Sequence, residues 1–149
     1  MNKPSQQIGG SHYENKAIQP ITLIEKFGLN FHEGNIVKYI SRWRDKNGLE
    51  DVKKAGWYAN RLKELNQQPK LQFKIDEKEQ VKLLNFANDF INKNSLGKLE
   101  TSIIMDVINY HLALPISKSL ARVTLKDIIK NINKLQDEIK KQGEENVCN

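Results

Sequence analysis

The sequence predicts an all-α fold, a small bundle of about six helices. Three observations predict it. Apolar residues recur at helical 3–4 spacing in one segment after another, and the pairs Asn30/Glu33 and Asp76/Glu79 carry the capping-box pattern. Proline, glycine and Asn-Gly then punctuate the chain where those segments should stop.

Taken in order, residues 1–17 hold Gly9-Gly10-Ser11 and no periodicity, which reads as an N-terminal arm and loop carrying His12 and Tyr13. Helix one runs from Pro20 to Phe27, since proline suits a first turn and Gly28 is a natural stop. Helix two is capped by Asn30 and ends before Asn47-Gly48. Helix three, Leu49 to about Leu65, places Val52, Ala55, Ala59 and Leu62 on one face. Residues 18–66 thus form a basic three-helix motif. A linker at 67–75 follows, in which the alternation Leu71, Phe73, Ile75 suits an extended segment or short strand at 71–75. A C-terminal helical region is expected at 76–142 and a tail at 143–149. Its first helix opens at Asp76, buries Leu83, Leu84, Ala87, Phe90 and Ile91, and closes at Asn94-Ser95-Leu96-Gly97. An apolar helix at 101–114 is stopped by Pro115. Thr124 caps a last helix whose Leu125, Ile128, Ile132, Leu135 and Ile139 form an apolar seam, to be covered by another helix of the bundle or by a second copy of the chain. A homo-oligomer is the expectation adopted, because three helices alone offer a ligand little enclosure.

Composition bounds the function. At 149 residues, 38% hydrophobic and 28% charged, the chain is globular rather than low-complexity. No run approaches ~20 apolar residues and the N-terminus lacks a signal-peptide core, so a cytoplasmic protein without membrane association is expected. The single cysteine, Cys148, supports neither a disulfide framework nor a thiolate metal site. The net charge of +6 favours anionic partners.

That charge is concentrated around the second and third helices. Between Lys38 and Lys54 stand six lysines and arginines, with Tyr39, Trp43 and Trp57 in or just beyond the window. On a helical wheel Ile36, Ile40 and Trp43 turn inward with Val37 at the margin, and Asn35, Lys38 and Arg42 turn outward beside Tyr39, continuing toward Lys46. Two cations and an amide on adjacent turns can grip a phosphate, or can simply form a solvated face. On helix three Glu50, Lys54, Trp57 and Arg61 make a second stripe, in which Trp57 either stacks on a base or covers a neighbouring helix.

His12-Tyr13, Ile18-Gln-Pro20-Ile, Gly34-Asn35-Ile-Val-Lys38-Tyr39-Ile-Ser-Arg42, Lys46-Asn-Gly48 and Asp51-Val-Lys-Lys54-Ala55-Gly-Trp57-Tyr58 together resemble the DUF3310 family of small bacteriophage proteins over residues 12–62. The resemblance implies a phage protein that handles nucleotides, since the family includes a nucleotide kinase without the usual phosphate loop. It also implies ligand contacts at His12, Tyr13, Asn35, Lys38, Tyr39, Arg42, Lys46, Lys54 and Tyr58, to which the wheel adds Trp57.

The sequence contains no G-x-x-x-x-G-K-[ST] loop and no histidine pair at metal-ligand spacing. Asp76/Glu79 is better explained as a cap than as a magnesium site, and His111, among Ile104, Ile108 and Leu112, as a hydrogen-bonded core residue. Catalytic residues are not legible, and no metal or cofactor is expected. The first expectation is a protein that captures a nucleotide or nucleotide-derived signal, sequestering it in an infected bacterial host as a counter-defence. The alternative is an unconventional nucleoside monophosphate kinase, which would need Mg-ATP. A nucleic-acid-binding module ranks third, because the basic block is short.

Overall fold

Pro20 opens the first helix, α1 (Pro20–Phe27), where a missing N–H costs nothing, and Gly28 ends it with φ +64°, a left-handed conformation that glycine adopts without steric penalty. Asn30 then starts α2 (Phe31–Arg42): its side chain accepts from the N–H groups of His32 (2.9 Å) and Glu33 (3.0 Å), while Glu33 Oε2 accepts from Asn30 N at 2.9 Å. The capping box read from the sequence is complete. A 3-10 turn, Trp43–Asp45, leads to α3 (Leu49–Leu65), followed by α4 (Glu77–Lys93), α5 (Lys98–Ala113) and α6 (Lys118–Val147). The computed structural model describes residues 16–65, 76–113 and 116–147, and no strand occurs among them.

The N-terminal arm with His12 and Tyr13, the linker at 67–75 with its extended segment, the stop at Pro115 and Cys148 lie outside the described residues. Asp76 caps α4 by accepting from Glu79 N at 2.8 Å. No helix among the described residues is long and apolar enough to cross a membrane.

The expected faces form the core. Val52, Ala55, Ala59 and Leu62 of α3 and Leu83, Ala87, Phe90 and Ile91 of α4 are buried, with Leu84 partly so. α1 packs on α2 and α4, α2 on α3 and α5, and α6 on α5 and α3. The helices α3 and α6 approach closely at Gly56, where an added Cβ would lie 3.2 Å from Gln136 Nε2 and 3.4 Å from Ile132 Cγ2.

Two expectations about the last helix are corrected, and one alternative left open for its seam is decided. Thr124 is not its cap: α6 begins at Lys118, Ser117 Oγ accepts from Leu120 N at 3.2 Å, and Thr124 sits inside the helix with its hydroxyl donating to Leu120 O at 3.0 Å. A threonine bonded back one turn satisfies its hydroxyl without ending a helix. The helix also runs to Val147, so residues 143–147 continue it rather than form a tail. Finally, Leu125, Ile128, Ile132 and Leu135 are buried within the single chain and Ile139 is half-buried. The seam that motivated a homo-oligomer is therefore covered by the molecule itself, and a second copy would need another face.

Polar contacts tie the two halves of the chain together. Asn94 exchanges two hydrogen bonds with the backbone of Ile18, at 3.3 and 2.8 Å. The buried carboxylate of Glu100 accepts from Trp43 Nε1 at 3.1 Å and from Arg44 Nε at 2.9 Å. His111 Nδ1 lies 2.9 Å from Oε2 of the fully buried Glu33, which makes His111 the hydrogen-bonded residue the sequence suggested.

Candidate functional site

Several of the described motif residues converge on a tyrosine pair where α2 meets α3. Tyr39 of α2 and Tyr58 of α3 stack with centroids 6.0 Å apart and rings inclined by 21°. Around Tyr58 three further rings meet edge-on: Phe31 at 5.7 Å, His32 at 6.0 Å and Trp57 at 5.0 Å. Two of them face solvent, with Phe31 70% and Trp57 61% exposed. Large rings left open beside other rings form a surface on which a planar group can stack.

Cations crowd the Tyr39 end of this platform. Lys38 Nζ stands 4.4 Å from the Tyr39 centroid, Arg42 Cζ 4.9 Å and Lys54 Nζ 5.9 Å. The Lys38 ammonium is held below the usual lysine value, first by partial burial and then by Arg42, with Lys46 and Lys54 adding to the effect and Asp51 opposing it. A lysine destabilised by three cationic neighbours marks a place where an anion is welcome. Lys38 Nζ donates to Asn35 Oδ1 at 2.6 Å, and Asn35 Nδ2 donates to Phe31 O at 2.7 Å, so the amide aims the ammonium.

Arg42 is placed differently from the expectation. The helical wheel turned it outward, yet it is buried, with Nε 2.9 Å from Oδ2 and Nη2 3.4 Å from Oδ1 of the fully buried Asp51. Asp51 also accepts from Asn47 Nδ2 at 3.2 Å. The wheel treats a helix in isolation, whereas α3 supplies a carboxylate that draws the guanidinium inward. Arg42 therefore belongs to the frame of the site, with its charge still felt at Lys38. Asn35 and Val37, read as outward and marginal, are likewise buried.

The remaining assignments divide clearly. Lys54 pairs with Glu50 at 2.5 Å, an exposed pair screened by solvent, so an incoming phosphate can compete for it. That pairing raises the Lys54 value above the usual lysine range. Lys46 is exposed just beyond the 3-10 turn. Trp57 is open rather than covering a neighbouring helix, and Tyr58, at the edge of the apolar face on the wheel, is the hub of the aromatic cluster. Phe31 and His32 were not among the residues singled out. The signal was present, since Phe31, Asn35, Lys38, Tyr39 and Arg42 recur at helical spacing along one side of α2. The buried partners Asp51 and Glu33 carried no such signal.

Residues 1–60 match the sequence profile of a family described as protein of unknown function (DUF3310). Every described residue of the platform falls inside that segment, while Glu100, His111 and α6 lie outside it. The chain matches no curated protein and no solved structure.

Proposed function

We propose, from a DUF3310-like segment whose described motif residues meet at a tyrosine pair, that this protein binds a phosphate-bearing nucleotide or nucleotide-derived signal. The observation that carries the reading is the union of Lys38, Arg42 and Lys54 around the Tyr39 ring with the open rings of Phe31 and Trp57 beside it. Phosphate oxygens take the ammonium groups of Lys38 and Lys54, with Lys46 at the margin, and the base stacks on the exposed rings. Binding without turnover is favoured over kinase activity because the buried carboxylate beside the cations, Asp51, is engaged by Arg42 and Asn47. Among the described residues no three His, Cys, Asp or Glu side chains come together as metal ligands. In a bacteriophage setting, capture of this kind would sequester a nucleotide signal of host defence.

Native mass spectrometry of the protein recovered from infected cells, paired with incubation in Mg-ATP and nucleoside monophosphates, tests the proposal. A retained phosphate-bearing ligand that is bound stoichiometrically and left unchanged supports it. Phosphoryl transfer to a monophosphate would establish the kinase reading instead.

A further inference from the structure

The exposed side of α6 carries a second concentration of positive charge that the platform does not use. Arg122, Lys126, Lys130 and Lys134 recur every fourth residue, a spacing that keeps neighbours on adjacent turns about 6 Å apart along the axis. All four are exposed, and none makes an ion pair among the described residues. Lys126, Lys130 and Lys134 join Lys141 and, across from them, Lys63 of α3 in lining an open groove of about 680 Å³. Asp137 and Glu138 also line this groove, between Lys134 and Lys141 on α6, and Asp137 lies 3.5 Å from Lys140 Nζ. The other acid of this stretch, Asp127, acts on Asp106 of α5, whose carboxyl is raised by burial first and by Asp127 second.

We infer that this groove is a binding surface for the phosphate backbone of duplex nucleic acid. Five lysines from two helices converge on it, and the helix beneath is held rigid by its packing on α5 and α3. From Arg122 to Lys134 the stripe spans ~18 Å, and duplex DNA presents a charge every ~1.7 Å, so several phosphates come within reach. A single strand is disfavoured as the occupant because no aromatic side chain lies between Lys118 and Gln142 to stack on unpaired bases. Backbone contact without base stacking is sequence-independent recognition.

The test is a fluorescence-anisotropy titration of the full-length chain into a labelled 30-base-pair DNA duplex over a salt series, with the single strand of equal length in parallel. The duplex should bind more tightly than the strand, and the Lys126→Gln/Lys130→Gln/Lys134→Gln variant should flatten the plot of log affinity against log salt by about 2.7, the loss of three phosphate contacts. Lys63→Gln/Lys141→Gln should flatten it by a smaller amount, and Lys38→Met/Lys54→Met should leave it unchanged. No duplex binding at 50 mM salt, tighter binding of the single strand, or an unchanged slope in both α6-side variants would overturn the inference. Loss of duplex binding in Lys38→Met/Lys54→Met alone would move nucleic acid to the aromatic platform and overturn it equally.

Discussion

Arg42 of α2 and Asp51 of α3 form a two-point ion pair, at 2.9 and 3.4 Å, with the carboxylate fully buried and the guanidinium side chain 11% exposed. Removing one partner of such a pair leaves the other charge buried and uncompensated, which costs about 3–5 kcal/mol. Arg42→Ala should therefore lower stability by that amount in denaturant titration. Arg42→Leu/Asp51→Leu should recover much of the loss, because a matched apolar pair removes both desolvated charges. A stable Arg42→Ala protein with selectively weakened ligand binding would return Arg42 to the surface role read from the helical wheel.

Trp57 is expected to behave in the opposite way. Its ring is open and its described aromatic contact is the edge of Tyr58, so Trp57→Ala should change the unfolding midpoint little. Affinity for a nucleotide should fall by about 1–3 kcal/mol, the range for one base stacked on an aromatic side chain. Equilibrium binding and thermal melts on the same preparation separate the two effects.

Lys38 links binding to pH. Its lowered value means that, between that value and 10.5, the unfolded chain holds a proton that the folded chain has released, so stability rises with pH through this window. Phosphate binding runs the other way, since it needs the ammonium and weakens as pH climbs through the same window. Lys38→Met should abolish that alkaline limb of binding, weaken binding at neutral pH, and leave the melting temperature at pH 7 no lower than that of the parent chain. A melting temperature that falls would show that the bond to Asn35 and the contact with Tyr39 outweigh the cost of the crowded charge.

The first three helices should not stand alone. Trp43 and Arg44 both donate to Glu100, His111 meets Glu33, and α3 lies against α6 at Gly56. A chain ending at Leu65 loses all of these partners and exposes the apolar faces of α2 and α3. Circular dichroism of that truncated chain should show a broad, non-cooperative melt, whereas a sharp transition would establish the segment as an independent domain.

Much of the fold was legible because its signals are local. Capping by Asn30 and Asp76, the stop at Gly28 and the 3–4 spacing on α3 and α4 each depend on neighbours within one or two turns. Arg42 and Thr124 were misplaced because their settings depend on distant residues, a carboxylate on the next helix and a helix start seven residues earlier, and for the same reason the sequence left open whether the bundle or a second copy covers the α6 seam. The site was legible in part. Lys38, Tyr39, Lys54, Trp57 and Tyr58 do meet, but that Tyr58 rather than Arg42 organises the surface follows only from how α2 crosses α3.

Isothermal titration of nucleoside mono-, di- and triphosphates, cyclic dinucleotides and the unphosphorylated nucleosides into the full-length chain and its Lys38→Met/Lys54→Met variant addresses the platform most directly. The account predicts that at least one phosphate-bearing compound binds one-to-one per site with a Kd below ~10 μM, that its nucleoside does not, and that the double variant weakens it at least ~10-fold, about 1.4 kcal/mol. Absence of binding across the whole panel, or binding that the double variant leaves intact, would contradict it.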